Sequence, residues 1–426
     1  MAVPNIQHSV LVLGDNALAG LQIVRSLGRA GVDVHLATFE TGSPTRRSRY
    51  VRQIHDLGHP FHDTDRFVQC LFDLITRNAF DLVIPSSDTS LVPLMSYREE
   101  IVARVPFAAP EPAAFVATQQ KDKTIELASR VGIRIPRTVV IRDSDWSPIQ
   151  QLRGLPLILK PSKSVIAGGP DFLGVRVVSS HDQLSQYLPD LLEYGPVLIQ
   201  EYWPGTGLGL GILADRGQIF AAFQYRRVHE PPAGGPSTYR VSEPLSENLL
   251  DDARRFCREI DWTGPAMFEY RVHAETGEPA LMEVNGRMWG SIALPIQAGV
   301  DFPRLLYELL VLRKTTETFD YRIPYFVRNI GRDIYWFQAN LRAPGGQRDV
   351  IKVPTRKVLR EFGNLLFMRE GFDLESLSDP FPGIMGWWNL LGEMASDVMS
   401  MVIAAWWRRI GHKNCRQVRK KPTDLI

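Results

Sequence analysis

Short apolar runs closed by glycine, proline or polar clusters alternate with segments of helical periodicity near the start of the chain. Val10–Leu13 is the first run. Gly14 and Gly20 follow it, then a helical pattern through Leu21, Val24 and Leu27, then a second run, Val32–Leu36. Two strands separated by a helix pair in parallel, so this opening predicts a βαβ unit and an α/β fold. A third strand, Asp81–Pro85, ends in Ser86-Ser87-Asp88. Open α/β sheets bind ligands at the carboxyl ends of their strands, which makes Asp88 either a pocket residue or the N-cap of the next helix. Lys121 to Val131 reads as a helix with Ile125 and Ala128 on one side, stopped by Gly132 and Pro136. Beyond Thr138 short strands dominate: Leu157–Lys160, Gly174–Val178, Val197–Tyr202 and runs from Gly211 to Tyr225.

Two further strands, Ala266–Val272 and Pro279–Asn285, flank Glu275-Thr276-Gly277, which has the length and glycine of a hairpin loop. The hairpin sets Glu269 opposite Glu283, and the period of two puts Asn285 and Arg287 on the face of Glu283. Like charges facing each other destabilise a hairpin unless a cation separates them. Two carboxylates and an amide oxygen are hard ligands that suit Mg²⁺ (or Mn²⁺) completed by phosphate oxygens and water. Arg287 would hold the same phosphates. A solvated face of an exposed hairpin is the alternative.

A chain of 426 residues, 44% hydrophobic and 23% charged, is long enough for two or three domains. Its formal charge of +2 argues against a general nucleic-acid binder. Cys70, Cys257 and Cys415 lie far apart without metal-ligand spacing, which fits a reducing, cytoplasmic setting, and the first residues lack the pattern of a signal peptide. Gly14 and Gly20 do not form G-x-G-x-x-G, so a dinucleotide site has little support.

Holding a nucleoside triphosphate needs cations at the phosphates, backbone donors above them, a slot for the base and metal ligands. Lys160 ends a strand, and Ser162 to Gly169, with Gly168 and Gly169, is a flexible segment able to fold over phosphates. Gln200-Glu201-Tyr202 ends a hydrophobic strand and offers backbone groups to an adenine edge. Glu269, Glu283 and Asn285 supply the metal. The segment from Arg226 to Arg240, read as a loop from its glycines and prolines, offers Arg227, His229 and Ser237 to an anionic substrate or a phosphoryl group in transfer.

The order and spacing of these residues resemble the ATP-grasp superfamily, in particular its carboxylate–amine ligases of the carbamoyl-phosphate-synthase-large-subunit and D-aspartate-ligase types. The resemblance covers roughly Val10 to Leu310. It implies an N-terminal Rossmann-like domain over residues 1–115, an ATP-grasp domain over 116–312 with a small lid subdomain near 138–202, and a helical C-terminal extension over 313–426. It also implies that Lys123 joins Lys160 at the phosphates, and that ATP and Mg²⁺ serve the joining of a carboxylate to an amine through an acyl phosphate. His229 would take the proton of the amine. The segment Pro204–Gly211 departs from the pattern, since it lacks the acidic residue that commonly meets the ribose.

Residues 381–407 are rich in Trp, Met, Leu and Val, and Arg408, Arg409, Lys413, Arg416, Arg419, Lys420 and Lys421 follow. Glu393 and Asp397 interrupt the apolar stretch, and 398–407 is too short to span a bilayer. The pattern fits an interfacial helix on an anionic membrane face, or a helix packed on its own domain or on a second subunit in a homodimer. Two other functions stay open: a cell-envelope amino-acid ligase acting on a lipid-linked or polymer acceptor, and an ATP-binding regulator without turnover.

Overall fold

The computed structural model describes residues 8–14, 18–39, 42–165, 174–231, 235–342, 353–364 and 370–395. Three sheets organise them. The first is parallel, in the order β3-β2-β1-β4, from β1 (Ser9–Leu13), β2 (Asp33–Thr38), β3 (Val51–Asp56) and β4 (Leu82–Pro85). Val10 and Val12 on one face and Leu11 and Leu13 on the other are fully buried, as a strand covered by helices on both sides requires. The helices α1 (Ala19–Arg29) and α2 (Thr64–Arg77) follow β1 and β3, and a single turn, Asp88–Leu91, follows β4. After α3 (Pro112–Gln119) and α4 (Lys121–Arg130) comes a small antiparallel sheet, β5-β8-β6-β7. It is built from β5 (Thr138–Ile141), β6 (Leu157–Pro161), β7 (Arg176–Val178) and β8 (Val197–Glu201), with α5 (His181–Leu192) packed against it through Leu184, Leu188 and Leu191.

The third sheet carries the long strands β9 (Gly205–Asp215), β10 (Gln218–His229), β11 (Tyr239–Ser242), β12 (Gly264–His273) and β13 (Pro279–Asn285). Arg216 and Gly217, with φ of 45° and 73°, make the two-residue turn between β9 and β10, the left-handed conformation a tight hairpin needs. The segment expected to be a loop from Arg226 is strand as far as His229, because β11 pairs with it at Arg227↔Arg240 and His229↔Tyr239. The glycines and prolines that suggested a loop all lie between Glu230 and Ser237. Helices α6 (Glu247–Glu259) and α7 (Phe302–Leu310) pack Phe256 and Phe302 into the cores.

The C-terminal part contains helices, α8 (Ile330–Arg342) and one over 380–395, but it is not only a helical extension. Strands β14 (Phe326–Arg328) and β15 (Gly371–Phe372) complete the third sheet beyond β11. Buried ion pairs fix this segment: Arg240 to both oxygens of Asp373 at 2.7 Å, Arg328 to Glu370 at 2.7 Å, and Arg25 of α1 to Asp379 at 2.9 Å. Residues 370–379 therefore bond to both the N-terminal sheet layer and the third sheet.

Candidate active site

The glycines of β9 decide how the site is built. Gly207, Gly209 and Gly211 recur with the strand period of two, so they share one face. A Cβ at Gly207 would meet Arg227 Cδ at 2.4 Å, one at Gly209 would meet Tyr225 Cζ at 2.3 Å, and one at Gly211 would meet Trp289 Cη2 at 2.5 Å. Side chains from β10 thus lie flat across β9 and reach β12. One row crosses four strands, with Tyr225, Gly209, Glu269 and Glu283 in register. Arg227 crosses the floor to bond the Glu269 carboxylate, and its other nitrogen lies 3.4 Å from Glu230. The glycine-rich segment that departs from the ligase pattern has this architectural use.

Glu269 and Glu283 face each other as the hairpin length predicts. The Asn285 amide donates to both, at 3.4 Å to Glu269 and 3.2 Å to Glu283, and its oxygen accepts from Arg287 at 3.3 Å. Burial raises the Glu269 carboxyl above the ordinary range, with Arg227 opposing. Burial acts the same way on Glu283, but the ammonium groups of Lys121 and Lys160 and the Asn285 amide hold it below that range.

Lys123 is not among these cations. It lies half-exposed on α4, paired with Glu126 at 2.9 Å. Lys121 takes the inner position, 3.9 Å from Glu283 and bonded to Ser164. The sequence carried the signal: Lys121 precedes Ile125 and Ala128 by four and seven residues and shares their buried stripe, whereas Lys123 falls on the stripe of Glu126 and Arg130. Lys160 is buried, donates to Gln200 Oε1 at 2.8 Å, and is pushed down to about 8 by burial, with Glu283 and Glu269 opposing.

Gln200 therefore works through its side chain, holding Lys160 and donating to Thr138 at 2.9 Å. Glu201 accepts from the Arg153 amide at 2.8 Å, and Tyr202 is half-buried at the strand end. The next residue, Trp203, was not anticipated; its indole N–H is buried with no partner among the described residues, and its ring stands edge-on to His273. Ser162 donates to Asp122, while Gly168 and Gly169 lie outside the described residues.

His229 stands in a second network. Its Nδ1 is 2.8 Å from Asp333, its ring stacks on Trp336 at 3.7 Å, and Nε2 is buried with no partner among the described residues. Asp333 also accepts from Thr238 and Arg328. Enclosed by Trp336, Tyr239 and Phe337, the imidazole has no bond to the carboxylate cluster, which counts against its role as the base for an amine. Ser237 is buried in the adjoining turn. Asp88 is not an N-cap: it is the first residue of its helical turn, with Ser87 in the capping place. It forms a two-pronged pair with Arg287 at 2.7 and 2.6 Å. Burial would raise the Asp88 carboxyl, but the Arg287 guanidinium holds it below the usual range.

A cleft of about 450 Å³, counting its open mouth, borders the cluster and is lined by Asp88, Phe115, Thr118, Lys121, Glu283 and Asn285 among others. Among the described residues no group of three or more His, Cys, Asp or Glu side chains converges on one point. Glu269, Glu283 and Asn285 are the neighbouring side chains that could hold a metal here. Two half-buried carboxylates in direct register, bridged by a neutral amide, fit a divalent oxygen-seeking cation.

A family model described as ATP-grasp in the biosynthetic pathway with Ter operon matches residues 193–331. A D-alanine–D-alanine ligase of Lactobacillus helveticus is 24% identical over 206 residues, covering 42% of this chain and 55% of that protein. A D-aspartate ligase of Enterococcus faecium is 22% identical over 205 residues, covering 44% and 49%. The chain thus matches about half the length of each of these relatives. Among solved structures, N5-carboxyaminoimidazole synthetase from Staphylococcus aureus superposes with a TM-score of 0.60 at 13% identity, over 87% of this chain and all of that one. Residues 193–331 thus match an ATP-grasp family model, and the fold is like that of the synthetase over most of the chain.

Proposed function

We propose that this protein is an ATP-dependent carboxylate–amine ligase. The observation that carries the reading is the Glu269–Glu283–Asn285 cluster on one sheet face with Lys121, Lys160 and Arg287 around it. Lys121 and Lys160 would neutralise the phosphates of ATP, and the hinge at Glu201 to Trp203 would meet the base. Mg²⁺ or Mn²⁺ held by Glu269, Glu283 and Asn285 would supply charge neutralisation at the transferring phosphoryl group. A substrate carboxylate oxygen attacks the γ-phosphorus, the bond to the β-phosphate oxygen breaks, and ADP leaves. The amine nitrogen then attacks the acyl carbon, the C–O bond to phosphate breaks, and phosphate and a proton depart. Arg287 would steady the carboxylate.

Incubation with ATP, Mg²⁺, pooled carboxylates and hydroxylamine tests this, because an acyl phosphate yields a hydroxamate with stoichiometric ADP. ATP binding without ADP formation across broad pools would instead favour a nucleotide-binding regulator.

A cell-envelope role is favoured by one observation. On the helix over 380–395, Phe381, Ile384, Trp388 and Leu391 are each more than half exposed, and residues 380–392 carry no charge. That face and the basic run after Trp407 fit peripheral contact with an anionic membrane, where a lipid-linked acceptor would be met. Among the described residues no helix is long and apolar enough to cross a bilayer. Cosedimentation with phosphatidylglycerol vesicles that is lost in Ile384→Glu/Trp388→Glu supports the contact. Equal recovery of both proteins in the supernatant removes it, and size exclusion without lipid separates self-association through the same stripe.

A further inference from the structure

A second cleft lies on the other side of Gly286. It encloses about 420 Å³ with its open mouth and is lined chiefly by apolar residues, including Ile84, Phe107, Trp262, Met288 and Leu306, and among the described residues Arg287 is the only charged one in that lining. Gly286 is the wall between the two clefts, and it has no room to thicken: a Cβ there would meet Trp262 Cη2 and Thr118 Oγ1, both at 2.5 Å. Arg287 opens on this apolar cleft, while its partner Asp88 opens on the polar one. Both side chains keep solvent access, 20% for Arg287 and 27% for Asp88.

We propose that the Asp88–Arg287 pair and the apolar cleft beside it bind a zwitterionic α-amino acid with a compact apolar side chain. A guanidinium fork matches a carboxylate in two places, and the Asp88 carboxylate matches an ammonium. A free amino acid presents both groups on one carbon, so it splits the pair and leaves each partner with an opposite charge. A simple acid or a simple amine satisfies one partner and strands the other, which is costly in a partly desolvated site. The side chain then enters the cleft lined by Ile84, Phe107 and Leu306. An acidic side chain has no second cation there, since Arg287 is already engaged by the α-carboxylate. The assignment of this amino acid as the carboxylate partner rests on the ligase reading; its binding does not.

Calorimetric titration of the full-length protein with both enantiomers of valine, and with aspartate, 3-methylbutanoate and 2-methylpropylamine, is the test. Valine of one configuration is expected to bind at least tenfold more tightly than the other three compounds. Ala108→Leu, which adds volume to the cleft lining, should weaken valine at least tenfold and alanine less than threefold. Asp88→Asn should erase the preference for valine over 3-methylbutanoate. Aspartate or 3-methylbutanoate binding as tightly as valine, or no binding of any amino acid to protein with an unchanged melting curve, overturns the proposal. Valine binding without ADP formation would sink the ligase reading alone, and hydroxamates formed only from acids lacking an α-ammonium would sink this inference alone.

Discussion

Arg227 on β10 and Glu269 on β12 are ion-paired across an intervening strand that has no side chains in the way. The guanidinium supplies the positive charge that a divalent cation would otherwise bring to Glu269. Removing it should therefore strengthen metal binding. Arg227→Met is expected to tighten Mn²⁺ about tenfold, equivalent to about 1.4 kcal/mol, measured by water-proton relaxation without nucleotide. Weaker Mn²⁺ binding in that variant would mean that Arg227 orders the site and does not compete for it.

The glycine floor is predicted to be intolerant. Gly209→Ala forces a methyl group into the Tyr225 ring and Gly207→Ala into the Arg227 stem, and overpacking of this kind costs about 1–3 kcal/mol. Urea unfolding should show the loss at both positions. Gly277→Ala is a control for the backbone alone, since nothing lies within 4 Å of its Cβ although its φ is 71°.

Lys121 and Lys123 separate the phosphate reading from a surface role. Lys121→Met is expected to weaken ATP binding by about tenfold or more, the scale of one charge-assisted contact. Lys123→Met should change it less than about twofold, because an exposed pair with Glu126 contributes little. Fluorescence titration with a labelled nucleotide decides between them.

Lys160 gives a pH dependence of known sign. Its pKa falls from 10.5 in the unfolded chain to about 8 in the folded protein. Between these values the unfolded state holds more protons, so stability should rise with pH from about 8 to 10.5, and Lys160→Met should abolish that rise. Nucleotide phosphates favour the ammonium, so ATP affinity should decline above pH 8. A flat affinity profile from pH 7 to 9.5 would remove Lys160 from the phosphate site.

The ion pairs of residues 370–379 predict a stability phenotype far from the site. Asp379→Ala leaves Arg25 buried without its carboxylate, a change expected to cost about 3–5 kcal/mol. A thermal melt of the full chain should show it, and an unchanged melting temperature would mean that the Asp373, Leu374 and Asp379 carbonyls suffice for Arg25.

The parts of this fold governed by local rules were legible in the sequence. The βαβ opening, the α4 helix and the Glu269–Glu283 register follow from periodicity and turn length alone. What escaped depends on pairing between distant segments. The strand character of Arg226 to His229 is set by β11, and β14 and β15 are short runs that become strands only at the sheet edge. Lys121 and Lys123 look equivalent until the buried side of α4 is known. His229 looked free in a polar loop, but Asp333, 104 residues later, and the Trp336 ring enclose it.

Residues 370–379 also bear on the order in which the protein is made. Arg25 leaves the ribosome 354 residues ahead of Asp379. At typical synthesis rates that interval is roughly 20 to 70 s. Through all of it, Arg25 and Gln22 face a site whose filling does not yet exist. The sheet layer around α1 is thus completed only long after it is made, and a nascent chain stalled before residue 370 should hold α1 with Arg25 and Gln22 lacking these partners.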